Sequence, residues 1–342
     1  MKRRRRRVRK NNDSYLIIIL ICLLIFNVGA LIYKFFTDNS VFNSFDDLKK
    51  IFTGYDLPFG LNNKDKDLDS NKPPIGENVE ADIDDEHELS TSGDFIIDRL
   101  DEYESLIVIK DSQGVNSIEN IPKPLNINKV SLNKDENYIL MYHTHGTESY
   151  LTDNPTEYHN QDTEKNVVSI GEVLQKVLEG NGHKVDHVKT LHDLPSYNSS
   201  YTRSLNTINS KKAENKNLKM FFDVHRDGVD SNAEYKDKFL KTARIDINGV
   251  STATFSLVVG PDTPNYESVL SFAKYIKAVS DTLYPGFCTG IIVKPAGKYN
   301  LFASDYSALI EVGSNLITQE EAKEAAKLIG EILSLVIDSI IE

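Results

Sequence analysis

The chain has 342 residues, 40% of them hydrophobic, and a formal net charge of -12. Its length allows one or two domains with a core of ordinary size. The acidic balance argues against nucleic acid as a partner, because phosphate binding needs a positive surface. The chain has two cysteines, Cys22 and Cys288, and Cys22 lies in an apolar run, which excludes a small scaffold held by disulfides.

Positive charge is concentrated at the N-terminus, where residues 1–13 carry eight Lys or Arg and one Asp. The apolar run Leu16–Tyr33 follows, and flanking aromatic residues extend it to about 20 residues, enough to span a bilayer core. We therefore predict a cytoplasmic basic segment over residues 1–14 and an uncleaved transmembrane helix over residues 15–36. A cleaved signal peptide is the alternative, but the run is long for one and no A-x-A-like site follows.

Residues 37–93 have little apolar pattern and are rich in Asp, Asn, Lys and Ser. This composition predicts an acidic disordered linker. A globular pattern begins near Phe95, so we assign residues 94–342 to one globular domain outside the membrane.

Within this domain, short apolar runs alternate with amphipathic stretches of helical period. The runs predict strands at Tyr138–Tyr142, Lys184–Val188, Lys219–Val224, Ala243–Ile247, Ser251–Val259, Gly290–Lys294 and Ala308–Glu311. The stretches predict helices at Glu164–Glu179, Tyr201–Lys212, Ser268–Leu283 and Thr318–Ile340. Asn248-Gly249 is a strong signal for a two-residue hairpin. The alternation predicts an α/β sheet covered by helices on both faces, with an antiparallel hairpin included.

Three of the predicted strands end in residues suited to chemistry. One runs into an HTH motif with His143 and His145, another into an HRD motif at His225, and a third into Glu311. Ligands of open α/β sheets bind beyond the carboxyl ends of strands, so these side chains converge if the strands are neighbours. Imidazoles with a carboxylate form the ligand set of a catalytic zinc site that keeps one position for water. The alternative for each histidine alone is a place in a polar network or a solvated loop.

A family resemblance rests on the motifs HTHGTESY, DVHRDG, YPGFCTGIIVKPAGKYN and ALIEVGSN. They resemble the SpoIIP (stage II sporulation protein P) family, within the zinc-dependent N-acetylmuramoyl-L-alanine amidases, from about Tyr138 to the C-terminus. The resemblance implies a twisted, mostly parallel sheet between helices, with one zinc ion. It also implies a peptidoglycan hydrolase that cleaves the amide between N-acetylmuramic acid and L-alanine during septal thinning and engulfment, with endopeptidase action on stem peptides also credited to the family.

The resemblance implies three zinc ligands. His145 and His225 match two of them. For the third, Glu164 at the start of a predicted helix is preferred, and Glu148 in the HTHxxE motif is the alternative. His143 is a candidate for a further ligand or for a residue that supports one.

Glu311 matches the catalytic glutamate of the amidases, which takes a proton from the zinc-bound water and delivers it to the leaving nitrogen. Its position after a buried apolar run agrees with a functional role, because an unpaired carboxylate there is costly. Arg226 and Asp227 of the HRD motif are assigned to substrate binding.

The implied partners are peptidoglycan, a SpoIID-type lytic transglycosylase and a multipass membrane protein, at the sporulation septum and engulfing membrane. A hypothesis of a different class is a catalytically inactive peptidoglycan-binding module that anchors a membrane complex. A zinc peptidase of unrelated fold is disfavoured because the sequence has no H-E-x-x-H motif.

Overall fold

The computed structural model describes residues 94–103, 121–152, 158–230, 233 and 235–342. All of them belong to one compact unit that begins at residue 78. The predicted basic segment 1–14, transmembrane helix 15–36 and linker 37–93 lie outside the described residues. Among the helices that the structure does describe, none has the length and apolar character needed to cross a bilayer.

The described part of the chain contains nine strands and five α-helices. The strands are β1 (Phe95–Ile97), β2 (Ile139–Tyr142), β3 (Val185–His187), β4 (Met220–Asp227), β5 (Arg244–Ile247), β6 (Val250–Ala253), β7 (Phe255–Val259), β8 (Cys288–Val293) and β9 (Tyr306–Ser314). The helices are α1 (Val167–Gly180), α2 (Ser200–Glu214), α3 (Lys236–Thr242), α4 (Tyr266–Leu283) and α5 (Gln319–Ile340).

Seven strands form one sheet in the order β1-β8-β7-β9-β4-β2-β3, and β5 and β6 form a separate hairpin. Strands β3, β2, β4 and β9 are parallel neighbours, and β7 is parallel to β8. The β7–β9 and β1–β8 pairs are antiparallel. The expected mixed α/β fold with a mostly parallel sheet is therefore confirmed.

Side-chain alternation gives the sheet two distinct faces. Met141 and Phe222 belong to the large core cluster that includes residues of α1, α4 and α5. Leu140 and Phe221, one position away on the same strands, pack with Ile208 of α2 in a second cluster. Helices therefore contact both faces of the sheet. By alternation from Phe221, Asp223 and His225 of β4 point towards the α2 face, together with their register partners Leu309 and Glu311 of β9.

Local signals explain the hairpin and the breaks around it. Asn248 and Gly249 both have positive φ, of 56° and 82°, as a tight hairpin turn requires. The single strand predicted over Ser251–Val259 is corrected to two, β6 and β7, because Thr254 leaves the ladder between them. Its N–H donates to Ala243 O and its hydroxyl to Thr242 O.

Capping residues set the helix starts. The Asn166 side chain accepts from Val168 N–H, so α1 begins at Val167 rather than at the predicted Glu164. Thr318 and Glu321 form a reciprocal capping box at the start of α5, close to the predicted boundary.

Candidate active site

A cleft of about 410 Å³ lies on the α2-facing side of the sheet. Three buried apolar side chains from adjacent strands form its floor, namely Leu309 of β9, Val258 of β7 and Ile292 of β8. Its walls carry polar and aromatic side chains, including His145, Glu148, Tyr158, His159, Tyr197, Tyr201, His225, Arg226, Asp227, Lys294, Tyr299 and Glu311. The cleft thus combines an apolar base with many titratable groups, as ligand sites commonly do.

His225 lies between two carboxylates. Its Nδ1 is 3.4 Å from Glu148 Oε2, and its Nε2 is 2.9 Å from Asp223 Oδ1. Burial lowers the pKa of His225, but the charges of Asp223 and Glu148 outweigh burial and raise this pKa well above its usual value. The arrangement therefore holds a positive charge at this point of the cleft.

Glu148 belongs to the turn that follows β2, and Arg226 of the HRD motif holds its side chain in place. The backbone N–H of Arg226 donates to Glu148 Oε2 at 3.1 Å, and the Arg226 guanidinium lies 3.8 Å from Oε1. Burial raises the pKa of Glu148, but the charges of Arg226 and His225 outweigh it and lower this pKa to about 2. Glu148 is therefore an ionised carboxylate that faces His225.

His145 comes from the same turn and is held by aromatic contacts. Its ring stacks on Tyr197, with centroids 4.1 Å apart and planes at 3°, and lies 5.2 Å from the ring of His225. Burial, and then the charge of His225, lowers the pKa of His145 to about 3. Its buried Nδ1 has no hydrogen-bond partner among the described residues. A neutral imidazole with an unpaired nitrogen has the properties of a metal ligand.

Glu311 lies directly across from His225 in the register of β4 and β9. Its side chain is partly buried, and Oε2 is a buried atom without a hydrogen-bond partner in the described part of the chain. Burial, opposed by the charge of His225 and supported by that of Glu148, raises the pKa of Glu311 to about 7. Burial and the charge of Glu311 also raise the pKa of Asp227 well above its usual value. Two carboxyl groups whose pKa values are raised therefore line the cleft.

The structure brings together most of the residues predicted for the site. One cleft is lined by six of them, which are His145, Glu148, His225, Arg226, Asp227 and Glu311. The side chain of Glu164 is exposed and does not line the cleft. Glu164 precedes α1, whose N-cap is Asn166. Of the two candidate carboxylates, Glu148 is the one beside the histidines.

His143 lies on the opposite face of the sheet from the cleft. Its Nδ1–H donates to Val224 O at 2.8 Å, and its Nε2 lies 2.9 Å from His187 Nε2. Burial, and then the charge of His187, lowers the pKa of His143 to about 3. Both rings abut Gly171 of α1. His143 therefore joins β2 to β4 and α1 rather than lining the cleft.

Asp223 is a site residue that sequence analysis missed. It is fully buried and accepts from Thr144 N–H at 2.8 Å and from the Thr144 hydroxyl at 2.6 Å, which ties β4 to the turn after β2. The spacing of Asp223 could have revealed it, because residues two positions apart on a strand, such as Asp223 and His225, lie on the same face.

The donor set suits a divalent cation in chemistry, although no group of three His, Cys, Asp or Glu side chains among the described residues has metal-binding spacing as it stands. Two buried imidazoles, His145 and His225, lie beside the ionised Glu148, and His145 Nδ1 is unpaired within this part of the chain. The two carboxylates beside His225 provide negative charge that a bound cation would offset.

Comparison with known proteins gives the family. The model of the family described as "Stage II sporulation protein P (SpoIIP)" matches residues 58–334, more than half of the chain. The chain belongs to this family. Stage II sporulation protein P of Bacillus subtilis (strain 168) is 30% identical over 216 residues, which are 58% of this chain and 51% of that protein. The chain thus spans about half the length of this curated family member.

Solved structures show more distant similarity. An N-acetylmuramoyl-L-alanine amidase of Nostoc punctiforme, AmiC2, matches with a TM-score of 0.35 and 16% identity over 60% of this chain and 96% of that one. An N-acetylmuramyl-L-alanine amidase of Mycobacterium smegmatis matches with a TM-score of 0.34 and 12% identity over 60% of this chain and 98% of that one.

Proposed function

We propose that this chain is a peptidoglycan hydrolase of sporulation that cleaves the amide between N-acetylmuramic acid and L-alanine. The observation that supports this most is that two buried imidazoles, His145 and His225, share one cleft with two carboxyl groups. Glu148 is ionised, and the pKa of Glu311 is raised to about 7. Family membership supports the sporulation context.

His145, His225 and Glu148 would hold the zinc ion that this reaction class uses, two imidazoles and one carboxylate being a known catalytic set. When bound, zinc supplies an activated water nucleophile and polarises the amide carbonyl. His225 must lose its proton to bind metal. Asp223, 2.9 Å from His225 Nε2, then fits the role of the carboxylate that orients a metal-binding imidazole.

In this proposal Glu311 is the general base and acid. It accepts a proton from the attacking water as the water oxygen bonds to the amide carbon. It then delivers that proton to the nitrogen as the C–N bond breaks, which leaves a carboxylic acid and a free amine. A carboxyl pKa near 7 suits both transfers at neutral pH. Asp227, beside it in the cleft, remains assigned to substrate contact.

Arg226 is proposed as a positioning residue rather than a substrate contact. Its Nε–H donates to Ser149 O at 3.0 Å and its Nη2–H to Tyr158 O at 2.9 Å, while its backbone and guanidinium hold Glu148. These contacts hold the turn that supplies His145 and Glu148 against β4.

The cellular setting is also a proposal. The basic run and apolar segment at residues 15–36 support a single-pass anchor with the catalytic domain outside the cytoplasmic membrane. The substrate would then be peptidoglycan at the sporulation septum, with a lytic transglycosylase and a multipass membrane protein as partners.

Matched carboxylate variants of the full chain in detergent test the metal assignment. Glu148→Gln should lose stoichiometric zinc, because it removes a ligand beside both histidines. Glu164→Gln should retain zinc, because that side chain is exposed outside the cleft. Metal analysis of the purified proteins checks both, and loss of zinc from Glu164→Gln alone would reverse the assignment.

The Glu311→Gln variant separates chemistry from binding. It should keep zinc and sacculus binding but release muropeptides about 10²–10⁴-fold more slowly, the usual contribution of general acid–base catalysis. Near-normal release would remove Glu311 from the mechanism. Sacculus binding by the zinc-loaded wild-type chain without any release would favour the inactive binding module instead.

A further inference from the structure

A second cavity, of about 560 Å³, adjoins the cleft. The two share Asp227, Ile292 and Glu311 as lining residues. Glu311 therefore lies at the boundary between them, and the cleft and the second cavity form one groove with the proposed catalytic carboxyl near its middle.

The outer wall of the second cavity comes from the segment between β4 and β7. Phe239 and Thr242 of α3 and Ile245 of β5 line it. Arg244 anchors this wall, since its Nε–H donates to Glu321 Oε1 at 2.8 Å at the start of α5. The cavity is thus a built part of the fold, held between the hairpin segment and the sheet.

The two halves of the groove differ in chemistry. The cleft is lined by four tyrosines, at positions 158, 197, 201 and 299, which offer amphipathic rings and hydroxyl groups to a polar ligand such as a sugar. The second cavity is lined mainly by apolar and hydroxyl side chains, including Phe239, Ile245, Thr254 and Ser256. Its buried Lys277 is neutralised by Asp281, with Nζ 2.9 and 3.2 Å from the two carboxylate oxygens. Such a lining suits short peptide side chains and backbone amides.

We propose that the second cavity is the subsite for the stem peptide and that the tyrosine-lined cleft holds the glycan. The proposal rests on the proposed amidase function. The amide to be cut joins a sugar-borne lactyl group to a peptide. With that amide beside Glu311, its two sides extend in opposite directions, and the groove offers a different lining on each side. The residues of the stem peptide beyond the first alanine would therefore contact the wall formed by α3 and β5.

Two neighbouring positions on α3 provide the test. Thr242 and Lys241 are both exposed, but only Thr242 lines the cavity. In the full chain, Thr242→Trp should fill the cavity and raise KM for a muropeptide with a complete stem by about tenfold. It should leave cleavage of a muropeptide that ends at L-alanine unchanged. Lys241→Trp should change neither, and thermal unfolding of both variants checks that the fold is retained.

The other outcomes separate this inference from the proposed function. The subsite assignment would be wrong if Thr242→Trp and Lys241→Trp had equal KM values for the full-stem substrate. It would also be wrong if the effect of Thr242→Trp depended on glycan length rather than on peptide length. Absence of cleavage by the wild-type chain would count against the amidase function, and the subsite is then judged by binding of the free stem peptide. Binding to wild type and to Lys241→Trp but not to Thr242→Trp would support it, whereas absence of binding to wild type would overturn it.

Discussion

At the scale of single residues, the candidate site is organised around His225, whose ring lies between Asp223 and Glu148. Buried charges are tolerated when they are paired, and removal of one partner leaves the other uncompensated. The positive charge on His225, or on a metal in its place, therefore offsets two buried carboxylates.

Asp223 should tune metal affinity without being a ligand. Asp223→Asn keeps the size of the side chain but removes the charge beside His225 Nε2. Loss of such a supporting contact typically costs about 10–100-fold in metal affinity, so zinc should dissociate correspondingly more readily in a chelator competition. Asp186→Asn is the control, because Asp186 lies on β3, away from β9 in the sheet order, and pairs with Lys211 of α2. Equal zinc affinity in both variants would contradict the role given to Asp223.

At the scale of elements, α1 depends on one glycine. A methyl group on Gly171 would lie 2.7 Å from His187 Nε2 and 2.8 Å from His143 Nε2. These two rings bond to each other and connect β2, β3 and α1. The close approach of the helix to the sheet at this point therefore requires a residue without a side chain.

Gly171→Ala should lower the free energy of unfolding by about 1 kcal/mol or more, since overpacking a core costs about 1–3 kcal/mol and outweighs the helix propensity gained. Gly180→Ala in the same helix is the matched control. No atom lies within 4 Å of a methyl group at that position, so this variant should be neutral or slightly stabilising. Urea unfolding of the two proteins gives the comparison, and a stable Gly171→Ala chain would contradict the packing argument.

The start of α5 has a pH-dependent contribution from Glu321, which accepts from Thr318, Arg244 and Ser251. Burial raises the pKa of Glu321, but these hydrogen bonds outweigh it and lower the pKa to about 2. Because the folded-state pKa is below the unfolded value, the stabilisation is present above about pH 4 and is lost as the pH falls towards 2.

Glu321→Gln should therefore cost about 1 kcal/mol at pH 7, the size of a lost helix cap, and progressively less as the pH falls below 4. The exposed Glu320→Gln in the same turn should have a much smaller effect at either pH. Thermal unfolding across this pH range measures the difference, and a constant difference down to pH 2 would show that the carboxylate charge of Glu321 is not the cause.

At the scale of the whole molecule, local periodicity predicted the main helices and the strands that carry His225 and Glu311. It did not predict that β7 lies between β8 and β9, because strand order depends on long-range pairing that no local pattern encodes. Nor did it separate His143 from His145. The first still follows the alternation of β2, whereas the second lies beyond the strand in a turn and reaches the other face.

The choice between the two candidate carboxylates shows the same limit. From sequence, Glu164 is the preferred ligand because a helix start fixes a side chain, whereas the structure has Asn166 as the cap and α1 beginning at Val167. Glu148 reaches the site only through tertiary contacts with Arg226. Capping competition and contacts between distant segments are the two features that a single sequence leaves undetermined here.

The pairing of His225 with Glu311 across adjacent parallel strands has a consequence for how this chain can evolve. Their spacing is set by the hydrogen-bonded ladder of β4 and β9, about 4.8 Å between strands, and not by any loop. Much of the remaining lining of the groove comes instead from turns, from α2 and from the segment that carries α3. Mutation can therefore reshape what the groove accepts while the separation between base and imidazole stays constant, so specificity and chemistry are inherited as separate traits.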